Sequence, residues 1–254
     1  MDNWRDEFVL YSRLLIFQKR INEARNIILQ ALAMNEKWYL ACSFGKDSLC
    51  LLNLIIKEKP DIPVLHMDSG YCFPETYAVR QYYQEKHSLN LTILPASMDY
   101  FELMRQFGIP SISRTKSQQI KVVQRLKKDR SLEWAQQNGL NGVFLGLRKD
   151  EARGRKLILN LRSPIYQLKN GLWKANPLAN WSFKDVWAYI VTNGLKYPVF
   201  YDYTGLGRTR EWIRNSSWCT TDGAERGQVV WLKYYYPELY KRLIAEFPIV
   251  SKYS

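Results

Sequence analysis

The chain has 254 residues, 37 of them Lys or Arg and 24 Asp or Glu, for a formal charge of +13. A chain of this length buries roughly 70% of its unfolded surface, so its core needs no disulfide staples. Apolar residues make up 46%, which excludes a disordered or collagen-like chain.

The apolar runs, such as 49–56, are too short to cross a bilayer. The opening residues lack the basic-then-apolar order of a secretion signal. Cys42, Cys50, Cys72 and Cys219 form no CxxC pair, so the expectation is a reduced, cytoplasmic protein without an iron–sulfur cluster. The positive excess favours polyanionic partners such as nucleic acid, nucleotides or phosphorylated and sulfated metabolites, or simply a basic soluble surface.

Leu10, Leu14, Leu15, Ile21, Ile27, Ile28 and Leu32 recur at helical spacing, predicting one or two leading helices over residues 8–35. Residues 38–42 form a nearly continuous apolar strand, and the run from Leu49 to Ile56 has helix length. A second strand covers 62–67, a helix 75–87, a third strand 89–94, a helical region 116–137 and a fourth strand 142–147. Strands that are apolar throughout and separated by helices predict a parallel sheet covered on both faces, a Rossmann-like α/β fold. From Pro177 onward the chain is rich in Trp and Tyr and reads as a helical extension. The expected organisation is a helical segment over 1–37, a nucleotide-binding α/β domain over 38–176 and a helical extension over 177–254.

All four strands end in polar or glycine-containing segments, and parallel sheets place their sites at those carboxyl ends. The first is Ser43-Phe44-Gly45-Lys46-Asp47-Ser48. Gly45 suits a tight turn close to phosphate, and the hydroxyls of Ser43 and Ser48 and the amides opening the next helix can surround phosphate oxygens. Lys46 supplies charge for a developing anion, and Asp47 suits a helix cap or a Mg²⁺ ligand.

This loop resembles the pyrophosphate loop of the adenine-nucleotide alpha-hydrolase superfamily, with Phe44 where that pattern has glycine. Asp68-Ser69-Gly70-Tyr71-Cys72-Phe73-Pro74-Glu75-Thr76 resembles a signature of phosphoadenylyl-sulfate (PAPS) reductases and ATP sulfurylase small subunits. Gly146-Leu147-Arg148-Lys149-Asp150-Glu151-Ala152-Arg153-Gly154-Arg155 resembles the same family's arginine segment, and 176–190 its Trp-rich segment.

The resemblance implies binding of ATP with Mg²⁺. It places Ser43, Phe44, Gly45, Lys46, Asp47, Ser48, Asp68, Gly70, Gly146, Arg148, Arg153 and Arg155 around the nucleotide. Lys46, Asp47, Asp68, Arg148 and Glu151 are the candidate catalytic residues, and Asp47 and Asp68 the candidate metal ligands.

Within the family, reductases carry a Glu-Cys-Gly-x-His segment and usually replace the Lys-Asp pair. Here Lys46 and Asp47 are present and Cys219 lacks that context. The leading expectation is therefore an ATP pyrophosphatase that adenylylates an acceptor for sulfur transfer, as in DNA phosphorothioation, with DNA, a cysteine desulfurase and other modification subunits as partners. PAPS reduction, sulfate adenylylation and a non-catalytic nucleotide-binding subunit are the alternatives. The cations of 114–130 and the Arg208, Arg210, Trp212 and Trp218 group are candidate nucleic-acid contacts. A core-facing Ile120, Val123 and Leu126 is the competing reading of the first group.

Overall fold

The computed structural model describes residues 4–34, 36–68, 70, 72–110, 112–124, 129–213 and 227–254. β1 (Trp38–Ala41), β2 (Val64–Met67), β3 (Leu91–Leu94) and β4 (Gly142–Phe144) form at the four expected positions, each shorter than the apolar run that contains it. Two further strands, β5 (Ile165–Gln167) and β6 (Trp173–Ala175), join them in a six-stranded sheet of order β3-β2-β1-β4-β6-β5. All neighbours are parallel except the antiparallel edge pair β5–β6. The fold is the Rossmann-like α/β arrangement expected from the sequence.

Helices α1 (Trp4–Ser12), α2 (Leu15–Ala33), α3 (Lys46–Glu58) and α4 (Pro74–His87) cover the first half. α3 is buried almost throughout, through Leu49, Cys50, Leu51, Leu52, Leu54 and Ile55, which explains its continuous apolar run. On the other face of the sheet, Tyr39, Leu65 and Val143 pack with Ala135.

The expected helical region over 116–137 consists of α6 (Lys116–Val123) and α7 (Arg130–Gln137), and α5 (Tyr100–Phe107) precedes them. A capping box between Thr115 and Gln118 sets the start of α6. Its register buries Val122 and leaves Ile120 70% exposed, so Ile120 is not the core residue that its spacing suggested.

α8 (Arg153–Leu161), α9 (Phe183–Thr192), α10 (Gln228–Tyr235) and α11 (Pro237–Glu246) follow. Ser182 caps α9 in a second capping box with Asp185, and Val186, Trp187 and Ile190 are core residues, as expected. No helix among the described residues is long and apolar enough to cross a membrane.

The chain divides into two compact units. One comprises 1–67, 78–94 and 133–198 and contains the whole sheet. The other comprises 68–77, 95–132 and 199–254.

Gly142 marks the tightest packing at the start of β4. A Cβ there would lie 2.5 Å from the Trp38 indole, which is buried and packed against Phe144. Gly142→Ala is therefore expected to cost about 1–3 kcal/mol by overpacking. Urea unfolding would show this as a lower midpoint, and an unchanged midpoint would mean that the indole yields freely.

Candidate active site

The loop after β1 is built from its own hydroxyls. Ser48 Oγ donates to the Gly45 carbonyl at 3.0 Å and lies 3.2 Å from Ser43 Oγ, while the Gly45 amide donates to Ser43 Oγ at 3.4 Å. Gly45 is the N-cap of α3 at φ −83°, so it is not the residue that makes the unusual turn. That residue is Phe44, at φ +55°. A non-glycine left-handed conformation costs about 1 kcal/mol, and full burial of the ring edge-on to His66, with centroids 5.3 Å apart, offsets it. His66 in turn places Nδ1 2.9 Å from the Cys42 carbonyl.

Lys46 begins α3 and is 1% exposed. Its ammonium donates to Asp47 Oδ2 at 2.9 Å. Arg148, 2% exposed, reaches back from the segment after β4 and donates through Nε to Asp47 Oδ1 at 2.5 Å. Asp47 therefore does not cap α3; it sits between two buried cations. Burial by itself raises the pKa of this carboxyl, but the charges and hydrogen bonds of Lys46 and Arg148 outweigh that and bring it down to about 2.

Gly146 lets the end of β4 lie against the loop: a Cβ there would touch the backbone of Asp47 and Ser48 at 3.4 Å.

Arg148 also donates to Asp150, whose other oxygen accepts from the Phe183 amide at 3.0 Å. Glu151 accepts from the Arg148 amide at 3.2 Å and from the Arg155 guanidinium. Burial opposes the charge on Arg148, but Asp47, Asp150 and Glu151 more than restore it. Lys46, Asp47, Arg148, Glu151 and Arg155, scattered through the sequence, thus form one connected cluster. The side chain of Arg153 lies outside the described residues.

Asp150 was not singled out from the sequence, although it stands between two residues that were. Asn176, directly after β6, was missed as a polar group of interest. Its carboxamide is fully buried, and neither Nδ2 nor Oδ1 has a hydrogen-bond partner among the described residues.

Asp68 and Gly70 belong to the second unit. Asp68 Oδ1 accepts from the Gly70 amide at 2.9 Å and from Tyr77 at 3.0 Å, an Asx-type turn that Gly70 completes at φ +70°. A Cβ on Gly70 would approach Ala96 Cβ at 3.1 Å. Phe73 packs against Phe200 and Trp231 and stacks on Tyr236 at 4.4 Å, while Tyr236 donates to Glu75 at 2.9 Å. No residue spacing in the sequence announces the long-range Glu75–Tyr236 contact.

These donor sets do not make a Mg²⁺ site as arranged. Both oxygens of Asp47 are held by cations, Oδ1 of Asp68 is held by two donors, and no group of three or more His, Cys, Asp or Glu suited to a metal occurs among the described residues.

Arg208 is not a surface contact for nucleic acid. It is 7% exposed, lies over the Trp231 ring and donates to the Trp212 carbonyl at 3.0 Å. Arg210 pairs with Asp202 at 3.1 Å. Trp218 and Cys219 lie outside the described residues.

Among the other cysteines, burial pushes the Cys42 thiol up to about 12 and the Cys50 thiol well above its ordinary value. Cys72 is half-buried. Alkylation of the native chain by iodoacetamide at pH 8, read by peptide mass spectrometry, is expected to modify Cys72 well before Cys42 and Cys50. Early labelling of either buried thiol would contradict this geometry.

A mostly parallel sheet with a strand–loop–helix at its centre, and a Lys–Asp–Arg cluster with both cations buried at the strand's carboxyl end, define a fold of the adenine-nucleotide alpha-hydrolase type. Residues 37–220 match the phosphoadenosine phosphosulfate reductase domain, and the chain belongs to that family. It is 33% identical over 185 residues to the phosphoadenosine 5'-phosphosulfate reductase of Erwinia tasmaniensis, covering 68% of this chain and 71% of that protein. With the Vibrio parahaemolyticus reductase it shares 30% over 212 residues, covering 74% and 76%.

Among solved structures, PAPS reductase from Candida auris, in a phosphate complex, is similar with a TM-score of 0.55 at 22% identity, covering 82% of this chain and 95% of that one. A U34-tRNA thiolase from Methanococcus maripaludis that carries a [4Fe–4S] cluster is similar with a TM-score of 0.54 at 14% identity, covering 93% and 79%. Both likenesses concern the fold.

Proposed function

We propose that this chain binds phosphoadenylyl sulfate at the Lys46–Asp47–Arg148 cluster and transfers its sulfo group to a thiol. The observation that carries this reading is the kinship with reductases at 30–33% identity over two thirds or more of the chain. The cluster fits the chemistry: Lys46 and Arg148 offer fixed cationic donors for phosphate or sulfate oxygens, and the amides opening α3 add to them.

In the transfer, a thiolate sulfur bonds to the sulfate sulfur. The bond from that sulfur to the bridging phosphate oxygen breaks, and adenosine 3',5'-bisphosphate leaves with the electron pair. A second thiol then displaces sulfite and closes a disulfide. Cys42 and Cys50 are poor thiolates, so the first thiol is Cys72, Cys219 or an external donor.

A second reading, cleavage of ATP between the α and β phosphates to activate an acceptor such as DNA, is favoured by the presence of Lys46 and Asp47 together in the loop.

Parallel product assays separate the two. Phosphoadenylyl sulfate with dithiothreitol or a thiol protein is expected to yield sulfite and adenosine 3',5'-bisphosphate, while ATP stays intact. AMP and pyrophosphate from ATP, with phosphoadenylyl sulfate untouched, would overturn the reductase reading in favour of the second.

A further inference from the structure

α8 stands out because little of it is covered. Its nine residues follow the 149–151 turn after Ala152, and among those whose side chains are described Leu159 is the buried one. Leu157, Ile158 and Leu161 are 62%, 52% and 76% exposed. At about 100° per residue these three fall on one stripe, and Leu159 points to the opposite side. Arg155, paired with Glu151, flanks the stripe on one side and Lys156 on the other; Arg162 follows the helix as its extended C-cap and lies over the Tyr166 ring. All three are exposed, and the helix contains no carboxylate.

A nine-residue helix is marginal in water unless an apolar face is covered. Three adjacent exposed aliphatic side chains, rimmed by cations, are the pattern of a binding patch rather than of scattered surface apolars.

We propose that α8 is a docking helix that inserts Leu157, Ile158 and Leu161 into an apolar groove on a partner protein whose rims carry carboxylates. Complementarity favours such a partner: apolar anchors at i, i+1 and i+4 fit a helix-in-groove contact, and flanking cations select acidic walls. A second copy meeting the first through the same face would oppose like charges, which disfavours self-pairing. A nucleic-acid backbone would leave the three aliphatic groups without apolar cover. Two turns with three anchors give a bilayer little area to hold. α8 follows Arg148–Glu151 directly, and Arg155 is paired with Glu151, so the partner would dock beside the proposed nucleotide cluster. The contact accounts for part of the +13 charge that phosphate binding leaves unassigned.

The test places a photo-crosslinking amino acid at position 158 of the full chain in its host cell. The crosslinked peptide is identified, and the purified partner is titrated with wild type, Leu157→Glu and Leu161→Glu. The expected result is a crosslink to another protein at an apolar segment bordered by Asp or Glu. Affinity should fall at least tenfold in each variant and weaken as salt rises, while thermal stability and nucleotide affinity stay as in wild type. A crosslink to a second copy, to lipid or to nucleic acid, no crosslink, or a partner insensitive to both variants would overturn the proposal.

Discussion

Arg148→Ala is expected to lower the unfolding free energy by about 3–5 kcal/mol and to weaken nucleotide binding by roughly tenfold to a hundredfold. The two effects share one cause. The guanidinium is 2% exposed and is held by Asp47 and Asp150, so its removal leaves the half-buried Asp47 carboxylate with Lys46 as its counter-ion. Asp150 also loses the contact that fixes it above the Phe183 amide. Arg148→Lys keeps the charge but not the planar fork that reaches two carboxylates at once, so it should recover part of the stability and little of the binding. Urea unfolding gives the first number and calorimetric titration with adenosine 3',5'-bisphosphate the second. Full retention of both by the alanine variant would mean that the cluster is an incidental ion pair.

Asp47→Asn should produce the opposite signature in binding. The wild-type carboxylate neutralises Lys46 and Arg148, standing where an anionic ligand would compete for them. Removing its charge leaves the two cations short of a counter-ion, so stability falls by about 2–4 kcal/mol while affinity for inorganic phosphate or sulfate rises.

The same group gives wild type an acid limb. Its folded pKa of about 2 lies below the ordinary 3.8, so its contribution is complete above pH 4 and is lost as pH falls toward 2. Linkage puts that contribution at about 2 kcal/mol. Stability measured between pH 5 and pH 2 should fall more steeply in wild type than in Asp47→Asn. Parallel acid limbs would show that Asp47 is not held by the two cations.

Much of this fold is written locally. β1, β2, β3 and β4 are each dense in apolar residues and bounded by polar turns, which is why their positions could be read. β5 and β6 are three residues long, and Trp173-Lys174-Ala175 has no strand pattern apart from its neighbours. α5 and α8 are short, and the mixture of charge and aliphatic residues in α8 reads as motif before it reads as helix.

The cluster shows the same division. Lys46 and Arg148 were legible as cations at strand ends, but their pairing through Asp47 joins residues 101 positions apart and depends on how β4 lies against the loop. Phe44 was legible as a departure from a glycine pattern, yet its left-handed backbone is visible only with the His66 ring in place. Arg208 misled because a buried arginine over an indole and a basic surface patch have the same local sequence.

The Lys46–Asp47–Arg148 cluster is proposed as the nucleotide-binding site. Calorimetric titration of adenosine 3',5'-bisphosphate into wild type and Lys46→Met tests it most directly, with circular dichroism confirming that both are folded. One site per chain is expected in wild type and at least tenfold weaker binding in the variant. Equal affinity in the two folded proteins would place the nucleotide elsewhere and contradict it.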